Sequence, residues 1–287
     1  MAVDGFFNVY KPLGMTSFEV VNTISKRFKV KAGHLGTLDP GATGVLPVAI
    51  NGATKVIKYV EQDDKEYIAT LVLGMATDTQ DKYGNIIDTK PIPELNLNTI
   101  EDTLGCFKGE IAQLPPMYSA KRVKGKRLYE IARSGFTVER EPIKVTIYDI
   151  SVLDYIKPHL IKLRVRCSRG TYIRTLCYDI ALSLGTCGYM LSLERIKSGA
   201  FALSESVSLD RLELHNLMPI DYPLQTFKKV IVSGEAIKKV LNGNRICLKT
   251  GKSEEKVRIY SDDGTFLAMG FESAGFVKVL NVFASRG

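Results

Sequence analysis

The chain has 287 residues, 45% apolar and 24% charged, which is close to the average for globular proteins and excludes disordered, collagen-like and fibrous classes. Thirty-nine Lys/Arg against 31 Asp/Glu leave a net charge of +8, which points to a polyanionic partner. No run approaches the roughly 18 apolar residues of a membrane span, and the first residues lack a basic start followed by an apolar segment, so a cytoplasmic protein is expected.

The first predicted element follows Thr16-Ser17-Phe18-Glu19, which has the Thr-x-x-Glu form of a capping box; Val20, Val21, Ile24 and Phe28 then repeat on one helical face. Next comes GHLGTLDPGATGVL (33–46), whose four glycines and one proline predict a shaped loop throughout, with a single carboxylate, Asp39, in its middle. On turn chemistry alone that Asp is an ordinary turn acceptor. EYIATLVLG (66–74) reads as a strand bounded by Gly74, followed by a turn-rich stretch through residues 81–85. Helical spacing returns over 98–107 with Ile100, Leu104 and Phe107 aligned. Within 115–135, Lys121, Arg122, Lys124, Lys126 and Arg127 cluster without an intervening acid, flanked by Tyr118 and Tyr129. Such a run is a solvated loop or a nucleic-acid contact.

Residues 161–168 alternate strictly, with Ile161, Leu163, Val165 and Cys167 on one face and Lys162, Arg164, Arg166 and Ser168 on the other. Thr171 is the predicted cap of a helix whose stripe is Ile173, Leu176, Cys177, Ile180 and Leu184, with Gly185 as its stop. Arg174 falls in the first turn of that helix, where the macrodipole disfavours a cation, so a compensating anion is expected beside it. After Pro219 and Pro223 a boundary near residue 226 is predicted. It precedes a small β-rich module in which KVRIY and FVKVLNVF flank an Asp263-Gly264 turn. Residues 227–287 carry a net +5, against +3 for the rest of the chain.

The five cysteines form no Cys-x-x-Cys pair and read as buried small hydrophobes; with three histidines in no ligand spacing, no metal site is expected. The loop at 33–46 is no phosphate cradle either, since neither GxxxxGK[ST] nor GxGxxG occurs.

Four segments, KPLGMTS (11–17), GHLGTLDPGATGVL (33–46), LPPMYSAKRVKGKRLYEIARSG (114–135) and RCSRGTYIRTL (166–176), taken in this order resemble the TruB-type tRNA pseudouridine synthases. The resemblance covers most of the first 226 residues. It implies an α+β catalytic domain over 1–226, with a mixed, largely antiparallel sheet flanked by helices and a basic RNA-clamping insertion at about 115–140. Residues 227–287 are similar to a PUA-type RNA-binding domain, a small β-rich barrel.

The implied reaction is isomerisation of uridine 55 in the T-loop of tRNA to pseudouridine, after the nucleotide is flipped out of its stack. No cofactor or metal is implied. Asp39 matches the family's catalytic aspartate, and attack on the base, attack on the sugar and deprotonation toward a glycal all stay open. Arg174 matches the arginine that pairs with it, Tyr67 the tyrosine on which the flipped uracil stacks, and His34 the histidine inserted into the RNA loop. Lys11 and Pro12 match the motif behind the active-site floor, and Lys121, Arg122, Lys124, Lys126 and Arg127 an RNA-closing segment. Where relatives often carry Leu-Arg-Arg this chain has Leu193-Glu194-Arg195; a carboxylate there repels phosphate, so neither Glu194 nor Arg195 is assigned an RNA contact. The chain lacks the extensions of the guide-RNA-dependent dyskerin relatives, so a stand-alone monomer acting on tRNA is expected. Two rivals are a glycoside or nucleoside hydrolase, which usually needs two carboxylates where the loop offers one, and an RNA-folding chaperone.

Overall fold

The computed structural model describes residues 3–60, 64–119, 121–123, 125–247 and 254–284. Strand β1 (Gly5–Lys11) leads into helix α1 (Ser17–Phe28), where the capping box is present: Thr16 Oγ1 accepts from the Glu19 amide at 3.1 Å and Glu19 Oε2 accepts from the Thr16 amide at 2.7 Å. Strands β2 (Ala32–His34), β3 (Ala42–Ile50), β4 (Lys65–Leu73), β5 (Met75–Thr77) and β6 (Ile86–Thr89) follow, with the short α2 (Ile57–Val60) between β3 and β4. Then come α3 (Leu97–Gly105), β7 (Gly109–Gln113), the two-residue pair β8 (Arg122–Val123) and β9 (Lys126–Arg127), and α4 (Leu128–Arg133). β10 (Ile143–Ile156), β11 (Leu160–Cys167), α5 (Ile173–Ser183), β12 (Gly188–Ser198), β13 (Phe201–Ala202) and β14 (Val207–Ser208) close the first unit.

Ten of these strands form one sheet in the order β14-β1-β3-β12-β4-β11-β10-β7, with β2 on β3 and β13 on β12. Only β1–β14 and β12–β3 are parallel, so the sheet is mixed and largely antiparallel. The β11 alternation is realised: Ile161, Leu163, Val165 and Cys167 are buried beneath α3 and α5, while Lys162, Arg164 and Arg166 are exposed. On β1 and β3 both faces are covered. Phe7, Val9, Leu46 and Val48 pack under α1, and Phe6, Val45 and Ala49 pack on the opposite face.

The second sheet runs β15 (Lys228–Val232), β17 (Glu255–Ser261), β18 (Phe266–Ser273), β19 (Phe276–Val282) and β16 (Ile246–Cys247), with α6 (Glu235–Leu241) packed on it. Met269, Phe266 and Phe283 of this unit join the cluster that holds Phe6, Tyr59 and Leu224, so the two sheets share apolar packing. Arg258 adds a polar tie, donating to Gln225 Oε1 at 2.6 Å and to the Phe227 carbonyl at 2.9 Å. Among the described residues, no helix is long and apolar enough to cross a membrane.

Four local expectations are corrected. Residues 33–46 are not loop throughout: 33–34 end β2, which pairs with β3, and 42–46 open β3, whose pairing with β1 and β12 outweighs the glycine content. Thr171 does not cap α5. The N-cap is Tyr172, whose amide donates to Gln113 Oε1 at 3.0 Å and whose carbonyl accepts from Gln113 Nε2 at 3.3 Å, while Thr171 bonds back to Ser168. The Asp263-Gly264 turn joins β17 to β18, a strand absent from the sequence reading, rather than to FVKVLNVF. Cys106 and Cys247 are exposed, and only Cys167, Cys177 and Cys187 are buried.

Candidate active site

Asp39 lies in the irregular segment 35–41 between β2 and β3, at a cleft of about 1160 Å³. Two contacts fix that segment from below. Ser17, the first residue of α1, accepts from the Leu38 amide at 2.8 Å and donates to the Leu38 carbonyl at 2.9 Å. Lys11 Nζ, fully buried at the end of β1, donates to the carbonyls of Met15 at 2.6 Å and Pro12 at 2.8 Å, with that of Pro40 at 3.5 Å. Burial pushes the Lys11 ammonium down to about 8, a shift partly opposed by the charges of Asp39 and Glu19.

Arg174 meets the anions its place at the start of α5 demands. Its Nη2 lies 3.1 Å from Asp39 Oδ2 and its Nη1 3.2 Å from Asp81 Oδ2, and it donates to the carbonyls of Tyr118 at 2.9 Å and Thr79 at 3.4 Å. The guanidinium side chain is 7% exposed and the Asp39 side chain 49%. A buried fork thus points one carboxylate into solvent. Asp81 is itself locked, its Oδ1 accepting from Thr79 Oγ1 at 2.7 Å and from the Tyr83 amide at 3.0 Å.

Strand register sets a second layer. Lys11 pairs with Gly44, Gly44 with Arg195 and Arg195 with Tyr67, one row across four neighbouring strands. Arg195 is wholly buried, donating from Nε to the Val45 carbonyl at 2.7 Å and from Nη2 to the Gly36 carbonyl at 3.0 Å, so it ties both flanks of the Asp39 segment to β12. Burial lowers its pKa, while the neighbouring Tyr67 hydroxyl acts in the opposite sense. Gly44 has φ +102°, and a Cβ there would sit 2.3 Å from the Arg195 carbonyl oxygen, so no larger residue fits. Tyr67 is nearly buried with Leu38 and Ala42; burial raises its hydroxyl pKa and Arg195 partly offsets that. It lies under the segment rather than in the cleft wall.

His34 lines the cleft, with a buried Nδ1 that has no hydrogen-bond partner. Burial, then the Arg195 charge, push its imidazole below the usual value, so the neutral ring is favoured. Of the basic run, Lys124 lies outside the described residues, Arg122, Lys126 and Arg127 are described only by their backbone in β8 and β9, and Lys121 Nζ donates to the Glu141 carbonyl at 3.4 Å. Asp39, Arg174, His34 and Lys11 therefore converge, and Tyr67 sits directly beneath. Sequence reasoning missed Asp81 and Arg195. Asp81 follows a turn signal that also suits a solvated loop, and Arg195 follows an acid in an unexpected triplet.

The TruB family pseudouridylate synthase N-terminal domain matches residues 24–173. The tRNA pseudouridylate synthase B C-terminal domain matches 174–236, and the pseudouridine synthase II TruB C-terminal domain matches 229–278. The tRNA pseudouridine synthase B of Clostridium novyi is 44% identical over 286 residues, covering 96% of this chain and 98% of the relative. That of Caldanaerobacter subterraneus subsp. tengcongensis is 41% identical over 286 residues, covering 99% and 100%. A chain in the crystal structure of a Cbf5–Nop10–Gar1 complex aligns with TM-score 0.74 at 28% identity, over 98% of this chain and 85% of that one. A chain in the structure of an H/ACA RNP bound to a substrate RNA containing 2′-deoxyuridine aligns with TM-score 0.75 at 26% identity, over 98% and 86%.

Proposed function

The chain belongs to the TruB family of pseudouridylate synthases, and from that premise we propose that it isomerises uridine 55 in the T-loop of tRNA to pseudouridine, with Asp39 as the catalytic carboxylate. The observation that carries the reading is the pair itself: a half-exposed carboxylate oriented by a buried guanidinium at 3.1 Å, beside a cleft of about 1160 Å³. The curated relatives are named for action on tRNA.

Isomerisation breaks the N1–C1′ bond, turns the base over, forms a C5–C1′ bond and moves the C5 proton to N1. No atom is gained or lost, so one correctly aimed carboxylate meets the demand, whether it adds to base or sugar or removes a sugar proton. Arg174 aims it, with Asp81 and two carbonyls fixing the fork from the other side. A uridine inside a folded loop must leave its stack to bring its C1′ to Asp39, and His34, a neutral ring on the cleft wall, is placed to occupy the gap. The basic segment 121–127 and the unit at 227–287 supply sequence-independent attraction for phosphate. The enzyme acts on tRNA as a monomer, without guide RNA or cofactor.

The cleft does hold a second carboxylate, but Asp81 shares the Arg174 guanidinium with Asp39 and is 15% exposed. Two carboxylates on one fork do not stand on either side of a glycosidic bond, which disfavours hydrolysis. The deciding experiment is Asp39→Asn: tRNA binding is retained, chemical labelling finds no pseudouridine, and no free uracil is released by the wild type. Pseudouridine formed at a substantial rate by the purified variant overturns the assignment. A tRNA-folding activity, which the same loop-opening contacts supply, survives in this variant.

A further inference from the structure

Two exposed aromatic side chains stand at the cleft with no part in the chemistry described above. Phe18 is 73% exposed and Tyr83 61% exposed, and both line the cleft. Each is tied to the segment that carries Asp39. Phe18 follows Ser17, which exchanges two hydrogen bonds with the Leu38 backbone. The Tyr83 ring lies against Gly41, where an added Cβ would come within 2.2 Å of the ring, so the glycine is what lets the ring settle there. The Tyr83 amide is held by Asp81 Oδ1 at 3.0 Å, the same carboxylate whose other oxygen holds Arg174. Lys82 Nζ is 5.2 Å from the Tyr83 centroid. The Tyr83 ring is thus seated on Gly41, two residues after Asp39, and Phe18 follows the residue that holds Leu38, one residue before it.

Single exposed aromatics are ordinary on a protein surface. Two on one cleft, on elements tied to the segment that carries Asp39, with Lys82 beside Tyr83, describe a surface for unstacked bases. We propose that Phe18 and Tyr83 are stacking platforms for the unpaired nucleobases flanking the reacting uridine, an inference that rests on the reading of this chain as a tRNA uridine isomerase. When the uridine leaves its stack, each neighbouring base loses a π partner, and an aromatic face at the cleft mouth replaces it in a sequence-tolerant way. Lys82 supplies a cation for an adjacent phosphate.

The chain contains no tryptophan, so Tyr83→Trp and Phe18→Trp each introduce a single indole that can be excited selectively beyond tyrosine absorption. In an Asp39→Asn background, titration with tRNA quenches both indoles saturably, at the midpoint given by filter binding, whereas a T-stem duplex lacking the loop leaves them unquenched. In otherwise wild-type protein, Tyr83→Ala and Phe18→Ala each lower kcat/KM about tenfold, the scale of one lost base–aromatic stack, with unchanged melting temperature. Tyr83→Phe and Phe18→Tyr restore it to within about threefold. Absence of quenching, or full activity in Tyr83→Leu, which keeps apolar contact with Gly41 but no π face, overturns the platforms. If the wild type makes no pseudouridine in tRNA, the functional reading falls instead, and the fluorescence titration still decides the stacking.

Discussion

Replacing Arg174 by Lys keeps the positive charge and removes the fork, so it tests whether direction or charge at Asp39 matters. The guanidinium reaches four acceptors from two nitrogens: Asp39 Oδ2, Asp81 Oδ2 and the carbonyls of Tyr118 and Thr79. A single ammonium cannot span them. Loss of two charge-assisted bonds, at about 1.5–3 kcal/mol each, partly offset by those the lysine makes, leaves a net destabilisation of about 2–3 kcal/mol. That corresponds to a melting temperature lower by about 3–5 °C at this chain length. A carboxylate displaced by about 1 Å from its aim costs on the order of 100-fold in rate. The assay is single-turnover pseudouridine formation with enzyme in excess, alongside equilibrium tRNA binding. The expected result is a rate about 100-fold lower with Kd within about threefold. Arg174→Met is the companion: it also strands the nearly buried Asp81, so its stability loss, about 3–5 kcal/mol, exceeds that of the lysine variant. A folded Arg174→Lys enzyme whose single-turnover rate stays within about threefold of wild type refutes the reasoning, as does a rate loss wholly explained by weaker binding.

Two further outcomes follow from the same contacts. Because burial pushes Lys11 down to about 8, the folded state binds fewer protons than the unfolded chain between that pH and the ordinary lysine value of about 10.4, so this group's contribution to stability rises with pH across that window. The melting temperature of wild type minus that of Lys11→Met therefore grows as pH rises above 8, and a gap that stays flat removes the claim. Deleting residues 227–287 weakens tRNA binding most at low salt, and it also lowers the melting temperature, because Phe266, Met269 and Phe283 leave the cluster around Phe6, Tyr59 and Leu224. Equal affinities across a salt series refute the electrostatic part, and an unchanged melt refutes the packing part.

The elements legible in the sequence are those whose pattern is local and one-sided. The Thr16–Glu19 box, the α5 stripe and the β11 alternation each bury one face and leave the other in water, so period alone identifies them. β18 was illegible for the opposite reason. Leu267 and Ala268 pack into the second sheet's own core while Met269 packs toward Phe6, so both faces are covered and no alternation remains. The start of β3 was hidden by its glycines, and its strand character comes from partners some thirty residues upstream on β1 and far downstream on β12. Pairing of that range leaves no mark on the local sequence.

The same distinction separates the legible from the hidden parts of the site. Asp39 and Arg174 were found through motifs and through the electrostatic oddity of a cation at a helix start, which requires an anion nearby. In the sequence, the acid that precedes Arg195 argues against a phosphate contact for either residue, because a carboxylate there repels phosphate. In a strand, however, neighbours point to opposite faces. Glu194 faces away and accepts from Tyr10 at 3.0 Å, while Arg195 points inward to the carbonyls of Val45 and Gly36. The acid therefore has no bearing on the cleft, and Arg195 is wholly buried. Alternation within β12 could have separated the two residues, but only register with β3 and β4 brings Arg195 between Gly44 and Tyr67. A buried guanidinium answered by carbonyls rather than by a carboxylate holds the segment around Asp39 without pairing with its carboxylate, which meets the Arg174 guanidinium at 3.1 Å.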